Sequence, residues 1–444
     1  VSTDERTAEE LLDIADRVIA HAPAAGEAEV TVTESATALT RYANGGIHQN
    51  VGERTLRIRL RLVRDGRCGV AESQVARDDA GAALVEAAET IRTHSPEGDP
   101  PHVLSPDGGS DTDSGYRAST ATVTPEERAD RVALVCAAAA QRAQKAFGTF
   151  ETGATTIAMV NSAGLRRAAR HTVAELIAMC RGEDGSAYAA RFDADAAAID
   201  ATATAEEVVE RCARNQGAAA VEPGTYEVVL APYAVGEMLE YLGLIGLGAL
   251  AMLEDRSFMR FGEKLMSDGV TITDDVSLGQ LAPLPFDGEG ATTRPVTLIR
   301  RGVGEAVVHD SVTAKRAGTT TTGHSFPQPN SEGPLPRYLT LAAGDGDNEA
   351  MVAGCRRGLL VTRFWYVRPV HPLATVITGM TRDGTFLIEN GTVTRPVRDL
   401  RFTQSIVDAL SDVRGIGRDR LAVRGYFGAT LVPWLHLGRF IFSS

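Results

Sequence analysis

The residues able to do chemistry are scattered along this chain. The nine histidines are His21, His48, His94, His102, His171, His309, His324, His371 and His436, and no two lie within five positions of each other. Zinc hydrolases commonly set two His a helical turn apart, as in H-E-x-x-H, so that both reach one ion while the Glu serves as base. That pair is absent, which leaves only a site gathered from distant loops. The five cysteines (Cys68, Cys136, Cys180, Cys212 and Cys355) form no C-x-x-C pair. Their odd number in a long chain fits reduced, buried thiols and a cytoplasmic setting better than a disulfide framework. No G-x-S-x-G elbow and no G-x-x-x-x-G-K-[ST] phosphate loop occurs. Gly243, Gly246 and Gly248 are loosely spaced like a dinucleotide loop. The third glycine is misplaced, however, and no acidic residue follows where a second strand would need it. Close packing of an apolar segment explains them better.

Two polar stretches remain. Pro285-Phe-Asp287-Gly-Glu289-Gly290 pairs two carboxylates, and paired acids can act as acid and base. A turn so rich in Gly and Asp reads first as a solvated corner. Thr319–Gly323 with His324 forms a polar, flexible stretch ahead of the Pro-rich loop Phe326–Pro336. Exposed loops on a rigid scaffold often carry function, although a lone His in such a loop is ordinarily a surface residue.

The elements that would position these residues fall into two halves. In the first, Leu11, Ala15, Val18 and Ile19 share a helical face, and Thr7-Ala-Glu-Glu10 forms a capping box. Glu29–Thr33 reads as a strand. In Leu56–Val63, Leu56, Ile58, Leu60 and Leu62 alternate with Arg57, Arg59 and Arg61, which predicts a half-buried strand with one wet, basic face. Asp65-Gly66 turns the chain toward a hairpin partner at Cys68–Ala71. Asp79–Arg92 reads as helix, and 94–121 as a long surface loop. Thr124-Pro-Glu-Glu127 starts a helix running to about Ala146. Strands cover Gly148–Asn161 and Leu165–Met179, and Thr204-Ala-Glu-Glu207 opens a helix to about Gln216.

Glu222-Pro223-Gly224 marks a boundary. Beyond it Thr225–Leu230, Val270–Thr273, Val296–Arg300, Leu339–Leu341, Leu359–Tyr366 and Thr385–Glu389 read as strands and Thr403–Ser411 as helix. The expectation is an α+β chain. Residues 1–221 form an α/β domain on a mostly antiparallel sheet, with the 94–121 loop inside it. Residues 222–444 form a β-rich sandwich or partly closed barrel.

The formal net charge of -13 argues against nucleic acid, whose phosphates demand Lys and Arg. The uncharged run Tyr241–Leu253 falls short of the roughly 20 apolar residues a spanning helix needs and reads as a buried helix or packed loop. The acidic first residues do not read as a signal peptide. No membrane partner is expected.

Several stretches, in order, match one family. They are Arg41-Tyr-Ala-Asn44-Gly45-Gly46-Ile47-His48-Gln49-Asn50, Ser257–Lys264 with Val270-Thr-Ile-Thr-Asp274-Asp275, and Phe286-Asp287-Gly-Glu289-Gly290. They continue with Thr313-Ala314-Lys315, Thr322-Gly323-His324, Gly358–Arg363, Ile388-Glu389-Asn390-Gly391 and Pro396-Val397. From about Arg41 to Asp419 the chain resembles the TldD/PmbA family, whose second member is also called TldE. The resemblance implies an α/β N-terminal half, a β-rich C-terminal half, and dimers enclosing a chamber where TldD-type subunits cut extended peptides. The TldD type carries an H-E-x-x-x-H helix and a late Cys as zinc ligands.

Here the corresponding segment reads Tyr233-Ala-Val-Gly-Glu237-Met-Leu-Glu240-Tyr-Leu-Gly-Leu, and the late segment Val423-Arg-Gly-Tyr-Phe-Gly428. Glu240 stands where the general base would be, without flanking His, and Cys355 comes too early. The resemblance is therefore to the TldE type, lacking the metal-binding helix. It implies a non-metal subunit that shapes the chamber and binds extended peptide. No cofactor is expected in this chain, zinc being supplied by a TldD-like partner, and the dimer forms with that partner or with itself. Arg41, Asn44, Thr322, Gly323 and His324 are the cleft candidates. Two alternatives stand beside it: a metal-independent hydrolase or tailoring enzyme using the polar loops and the Arg-faced strand, and a protein-binding regulator of gyrase-modulator type.

Overall fold

A computed structural model describes residues 6–74, 80–109 and 113–443. The N-terminal half is one antiparallel sheet covered by helices. Its strands are β1 (Glu27–Ala43), β2 (Gly46–Arg64), β3 (Arg67–Ser73), β4 (Lys145–Asn161), β5 (Arg166–Arg181) and β6 (Ser186–Asp193). They lie in the order β3-β2-β1-β4-β5-β6. The helices are α1 (Ala8–Ile19), α2 (Ala80–His94), α3 (Ala118–Ala121), α4 (Pro125–Gln141) and α5 (Ala201–Arg214). Asp79, the expected start of the second helix, lies outside the described residues. The capping boxes Thr7/Glu10 and Thr124/Glu127 both form. The α5 helix starts a turn before the expected Thr204, because the Asp200 side chain accepts from the Ala203 amide. An Asp cap satisfies a free first-turn donor there, and Thr204 is buried inside the helix.

Strand parity decides what this sheet does. Val30 and Val32 of β1, Ile58, Leu60 and Leu62 of β2, and Ala158 and Val160 of β4 share one core with α1 and α2. Phe150, Ala174, Leu176 and Ala178 continue that face into a core with α4 and α5. Residues of the other parity face the opposite way. They include Glu29, Arg59 and Arg61, and Met159, which packs on Phe286 of the C-terminal half.

The expected wet, basic face is therefore corrected. Arg61 is 1% exposed. Its guanidinium makes two bonds to its cross-strand neighbour Glu29, at 3.2 and 3.1 Å, and donates a third to the Pro101 carbonyl at 2.7 Å. Arg59 donates to the Gln328 carbonyl. The 94–121 segment is likewise more than a surface loop. Asp107 accepts from Thr292, Asp113 accepts from Arg170, and Gly115 packs on Pro283. It straps the Arg-bearing face to the C-terminal half.

The C-terminal half holds β7 (Gly224–Leu230), α6 (Pro232–Gly246), α7 (Ala249–Leu253), β8 (Ile272–Asp274), β9 (Val296–Arg300), β10 (Val303–Gly304), α8 (Ser311–Ala317), β11 (Leu339–Leu341) and α9 (Asn348–Gly354). There follow β12 (Arg357–His371), β13 (Val376–Glu389), β14 (Thr392–Pro396), β15 (Arg401–Ser405), α10 (Ile406–Leu410), β16 (Val413–Arg424) and β17 (Ala429–Ser443). The strands form an 11-stranded mixed sheet. Part of it closes on itself: β7 pairs β12, β12 pairs β13, β13 pairs β15, β15 pairs β17, and β17 returns to β7. Phe364, Phe402 and Phe440 stack within this core, with ring centroids 4.5 to 5.5 Å apart.

The 403–411 stretch, expected as helix, begins as β15 and becomes α10 only at Ile406, where Ser405 caps it. Tyr241–Leu253 splits into the end of α6 and α7 around Leu247 and Gly248. Among the described residues no helix is long and apolar enough to cross a membrane.

Candidate functional site

The helix that carries metal ligands in the resembled TldD type is present here, and its ligands are not. Strand β7 ends at Leu230, and Ala231-Pro232 opens α6 with Pro in the first turn, where its fixed φ suits the helix and its missing N–H costs nothing. Glu237, Glu240, Tyr241 and Leu244 follow at i, i+3, i+4 and i+7, one face of the helix. That face meets the loop between β16 and β17. The Glu240 carboxylate accepts from the backbone amides of Tyr426 and, at 3.3 Å, Phe427. A Cβ on Gly425 would sit 2.6 Å from Glu240 Oε1, so a side chain there would push the carboxylate out of this position. The two segments to which the resemblance assigns metal ligands are thus in direct contact.

The donors in this contact do not suit zinc. Hydrolytic zinc takes imidazole, thiolate or carboxylate donors, usually three from the protein. Neither α6 nor Val423–Gly428 contains a His or Cys, and one Glu240 oxygen is already engaged by amides. A cavity of about 20 Å³ lies beside Glu240, lined by Leu244, Arg337 and Phe427, and has room for about one water. Arg337 Nε and Nη2 have no hydrogen-bond partner among the described residues.

This face suits proton transfer better. Burial pushes the Glu237 carboxyl up to about 7, and the Glu240 charge adds to it, while Arg363 and Arg368 pull the other way. Burial also raises Glu240, against the pull of its two amides. No hydrogen bond among the described residues engages the Glu237 carboxylate. Beyond Leu244 and Leu335, which line both spaces, a cleft of about 210 Å³ opens between Ile245, Pro334, Pro369 and Pro372, with Arg256 and Glu332 at its rim.

The Asp287 and Glu289 turn is not a solvated corner. Asp287 is 3% and Glu289 1% exposed. Asp287 accepts from the amides of Glu289, Ala291 and Ser325, and Glu289 accepts from the Ser311 amide and hydroxyl. Burial outweighs these donors and raises both carboxyls, Glu289 to about 7.

The cleft candidates separate into two places. His324 is 1% exposed, so the expected surface histidine is corrected: Thr319 and Thr320 are exposed, but the chain turns inward at Gly323 and the carboxylate at the end of β8 meets the ring. Its Nε2 lies 3.0 Å from Asp274 Oδ1, and its Nδ1 2.9 Å from Thr322 Oγ1. Asp274 also accepts from the amides of Arg337 and Tyr338. Burial alone would raise Asp274, but His324 and these amides hold it below its ordinary value. Thr322 Oγ1 accepts from the His309 amide at 2.7 Å. Gly323 has φ +75°, and a Cβ there would meet the Thr292 carbonyl at 2.2 Å. The Thr-Gly-His block is a clamp inside the C-terminal half.

Arg41 and Asn44 lie elsewhere, at the β1–β2 hairpin tip, where Asn44 takes φ 53° in the turn. Both are exposed or partly exposed. Arg41 sits opposite Thr149, ten positions along β4 from Met159, which packs beside the Asp287 turn. That is about 33 Å at roughly 3.3 Å per residue. Within one chain the two sets do not meet.

Sequence reasoning missed two groups. Glu237 was legible as the i−3 neighbour of Glu240, but the arginines Arg363 and Arg368 brought near it from β12 were not. Glu227, Cys355 and His436 place one ligand-type atom each within 4.8 Å of one another, at sequence spacings no motif describes.

Comparison with known proteins agrees with this layout. Residues 223–443 match the PmbA/TldA metallopeptidase C-terminal domain. A metalloprotease of Methanothermobacter thermautotrophicus is 26% identical over 240 residues, 50% of this chain and 51% of that protein. The metalloprotease TldD homolog of Haemophilus influenzae is 26% identical over 220 residues, 48% of this chain and 45% of its own length. The matched region thus spans about half the length of these relatives. The solved structure of TldE from Thermococcus kodakarensis superposes with a TM-score of 0.87 at 17% identity, covering 99% of this chain and 100% of that one. At that identity the likeness concerns the fold.

Proposed function

We propose, for a chain that belongs to the TldD/PmbA family, that it is the non-metal subunit of a TldD/TldE-type zinc peptidase, where it shapes the chamber and binds extended peptide. One observation carries this reading. The helix and loop that hold zinc in the resembled TldD type are present and in contact, but Glu240 and two backbone amides occupy the contact. Loss of every nitrogen and sulfur donor with retention of the surrounding architecture fits a subunit kept for its shape. The metal and the hydrolytic water then belong to a TldD-like partner.

In this chain the residues bind and orient. The 210 Å³ cleft beside α6 offers apolar walls of Leu and Pro, with Arg256 and Glu332 as polar anchors, and so suits a peptide held in extended form. Glu237, near the midpoint of its titration at neutral pH, lies two turns before Leu244 on the same face of α6, outside the lining of that cleft, and can exchange a proton there. The alternative of a metal-independent hydrolase built on the Arg-faced strand loses its main support, because Arg61 and Arg59 are spent on Glu29 and on backbone carbonyls.

Co-expression with a metal-bearing homologue, followed by mass measurement in solution, tests the assignment. A stable two-chain complex is expected. Two separate proteins, each of unchanged mass, would overturn it.

A further inference from the structure

The second carboxylate-bearing group lies on the other side of β7, away from the α6 face. Glu227 comes from β7, His436 from β17, and Cys355 from the turn after α9. His436 Nε2 is 3.1 Å from Glu227 Oε2, and the three donor atoms all lie within 4.8 Å of one another. Cys355 is fully buried, and His436 is 6% exposed. Gly358 makes room for the thiol: a Cβ there would lie 2.5 Å from Cys355 Sγ and 2.5 Å from the Glu227 carbonyl. Among the described residues this is the one group of three ligand-type side chains so placed.

We propose that Glu227, Cys355 and His436 bind one zinc-class divalent cation, which ties β7, β17 and the α9–β12 turn together. A thiolate, an imidazole and a carboxylate are each zinc donors, and one water would complete the tetrahedron. Zinc bond lengths of about 2.0–2.3 Å place donor atoms roughly 3.3–3.8 Å apart. The His–Glu pair is nearly there, and the thiol, at most 4.8 Å from the other two donors, has no more than about 1.3 Å to travel to the roughly 3.5 Å a sulfur–nitrogen or sulfur–oxygen pair takes on zinc.

The charges balance. Binding releases the thiol proton to water, and the imidazole proton, which without metal sits on Nε2 facing Glu227 Oε2, shifts to Nδ1 so that Nε2 can ligate. The dication then meets one thiolate and one carboxylate. Arg414 is no obstacle, because it holds the other Glu227 oxygen, Oε1, at 3.1 Å and lies 3.6 Å from Asp412. A carboxylate that ligates through one oxygen and is steadied through the other is ordinary metal-site construction. Cys355 is fully buried and His436 nearly so, and the Glu227 side chain alone keeps 21% of its surface exposed. The ion would then sit beneath the surface between β7, β17 and the turn, and we assign it a structural role. The inference is independent of the peptidase reading, and its failure would leave that reading intact.

The test uses the full chain, stripped with chelator and titrated with Co²⁺. One equivalent should bind with the strong near-ultraviolet absorption of a thiolate–cobalt bond, which Zn²⁺ then bleaches. Cys355→Ser should abolish that absorption, and His436→Asn should weaken binding at least ten-fold. Zinc X-ray absorption of the unmutated chain gives a second reading that needs no variant: one sulfur among nitrogen and oxygen neighbours is expected. Absence of the thiolate band, its survival in Cys355→Ser, or a zinc shell of nitrogen and oxygen alone would each overturn the proposal.

Discussion

Two regions of this molecule hold carboxylates away from solvent, one burying them fully and the other, on α6, only in part, and they do so in opposite ways. Glu29, Asp287 and Glu289 at the seam between the halves, and Asp274 inside the C-terminal half, each meet at least two donors: the Arg61 guanidinium for Glu29, three amides for Asp287, the Ser311 amide and hydroxyl for Glu289, and His324 with two amides for Asp274. On α6, Glu240 faces two amides and Glu237 has no hydrogen-bond partner among the described residues. A saturated buried carboxylate fixes geometry, because removing it strands its donors. Glu289 and Glu237 are both raised to about 7, but Ser311 holds Glu289 in place while Glu237 is free to reorient and exchange its proton. The comparison assigns the seam and the Asp274 clamp to architecture and the α6 face to function, whereas the resemblance puts His324 among the cleft candidates and, by its residues alone, the Asp287 turn reads as a solvated corner.

The largest effect should come from breaking the seam. Glu29→Ala leaves the Arg61 charge buried and unpaired, and should cost about 3–5 kcal/mol in denaturant unfolding. The double replacement Glu29→Leu with Arg61→Met should recover most of that loss, since apolar side chains of similar volume often replace a buried pair without penalty. A cost under about 1 kcal/mol for the single change would remove the seam's structural role.

Asp274→Ala comes next. It orphans His324 and the amides of Arg337 and Tyr338, at about 2–4 kcal/mol. His324→Ala should cost less, because it leaves Asp274 with both amides. Equal losses would mean that the ion pair, not the backbone clamp, holds this corner.

The smallest effect should have the opposite sign. The folded pKa of Glu237 is raised from 4.5 to about 7, so the folded state holds the extra proton. Its ionisation penalty is absent below pH 4.5, grows as pH rises, and is complete above pH 7. Glu237→Gln should therefore stabilise the chain by about 1 kcal/mol at pH 8, after allowance for solvent screening, and leave it unchanged at pH 4. Thermal unfolding of both proteins at the two pH values isolates this group from Glu289. Destabilisation at pH 8 would show that Glu237 has a partner after all.

Much of the architecture was legible from local chemistry. Thr7 and Thr124 capped helices as their spacing required, and the Leu–Arg alternation of β2 gave the correct parity. Parity says which face a side chain takes but not what covers that face. The burial of Arg59 and Arg61 depends on a strap more than thirty residues later and on a C-terminal loop, contacts with no periodic signature. His324 misled for the same reason: polar neighbours suggested exposure, but its partner Asp274 lies 50 residues upstream. The α6 face was legible only through its resemblance to a family, which located the helix but could not show Glu240 closing on Tyr426 and Phe427. The spacing of Glu227, Cys355 and His436 could not reveal their convergence, because two strands and a turn bring them together.

The account's central claim is that α6 retains the shape of a metal site while leaving the hydrolysis to a partner. Hydrolysis of an unstructured peptide tests it most directly, measured with this chain alone, a metal-bearing homologue alone, and the two together, each with and without chelator. The prediction is cleavage that needs the metal-bearing chain, is strengthened by this one, and is abolished by chelator. Cleavage by this chain alone with chelator present, lost in Glu237→Gln, would contradict it.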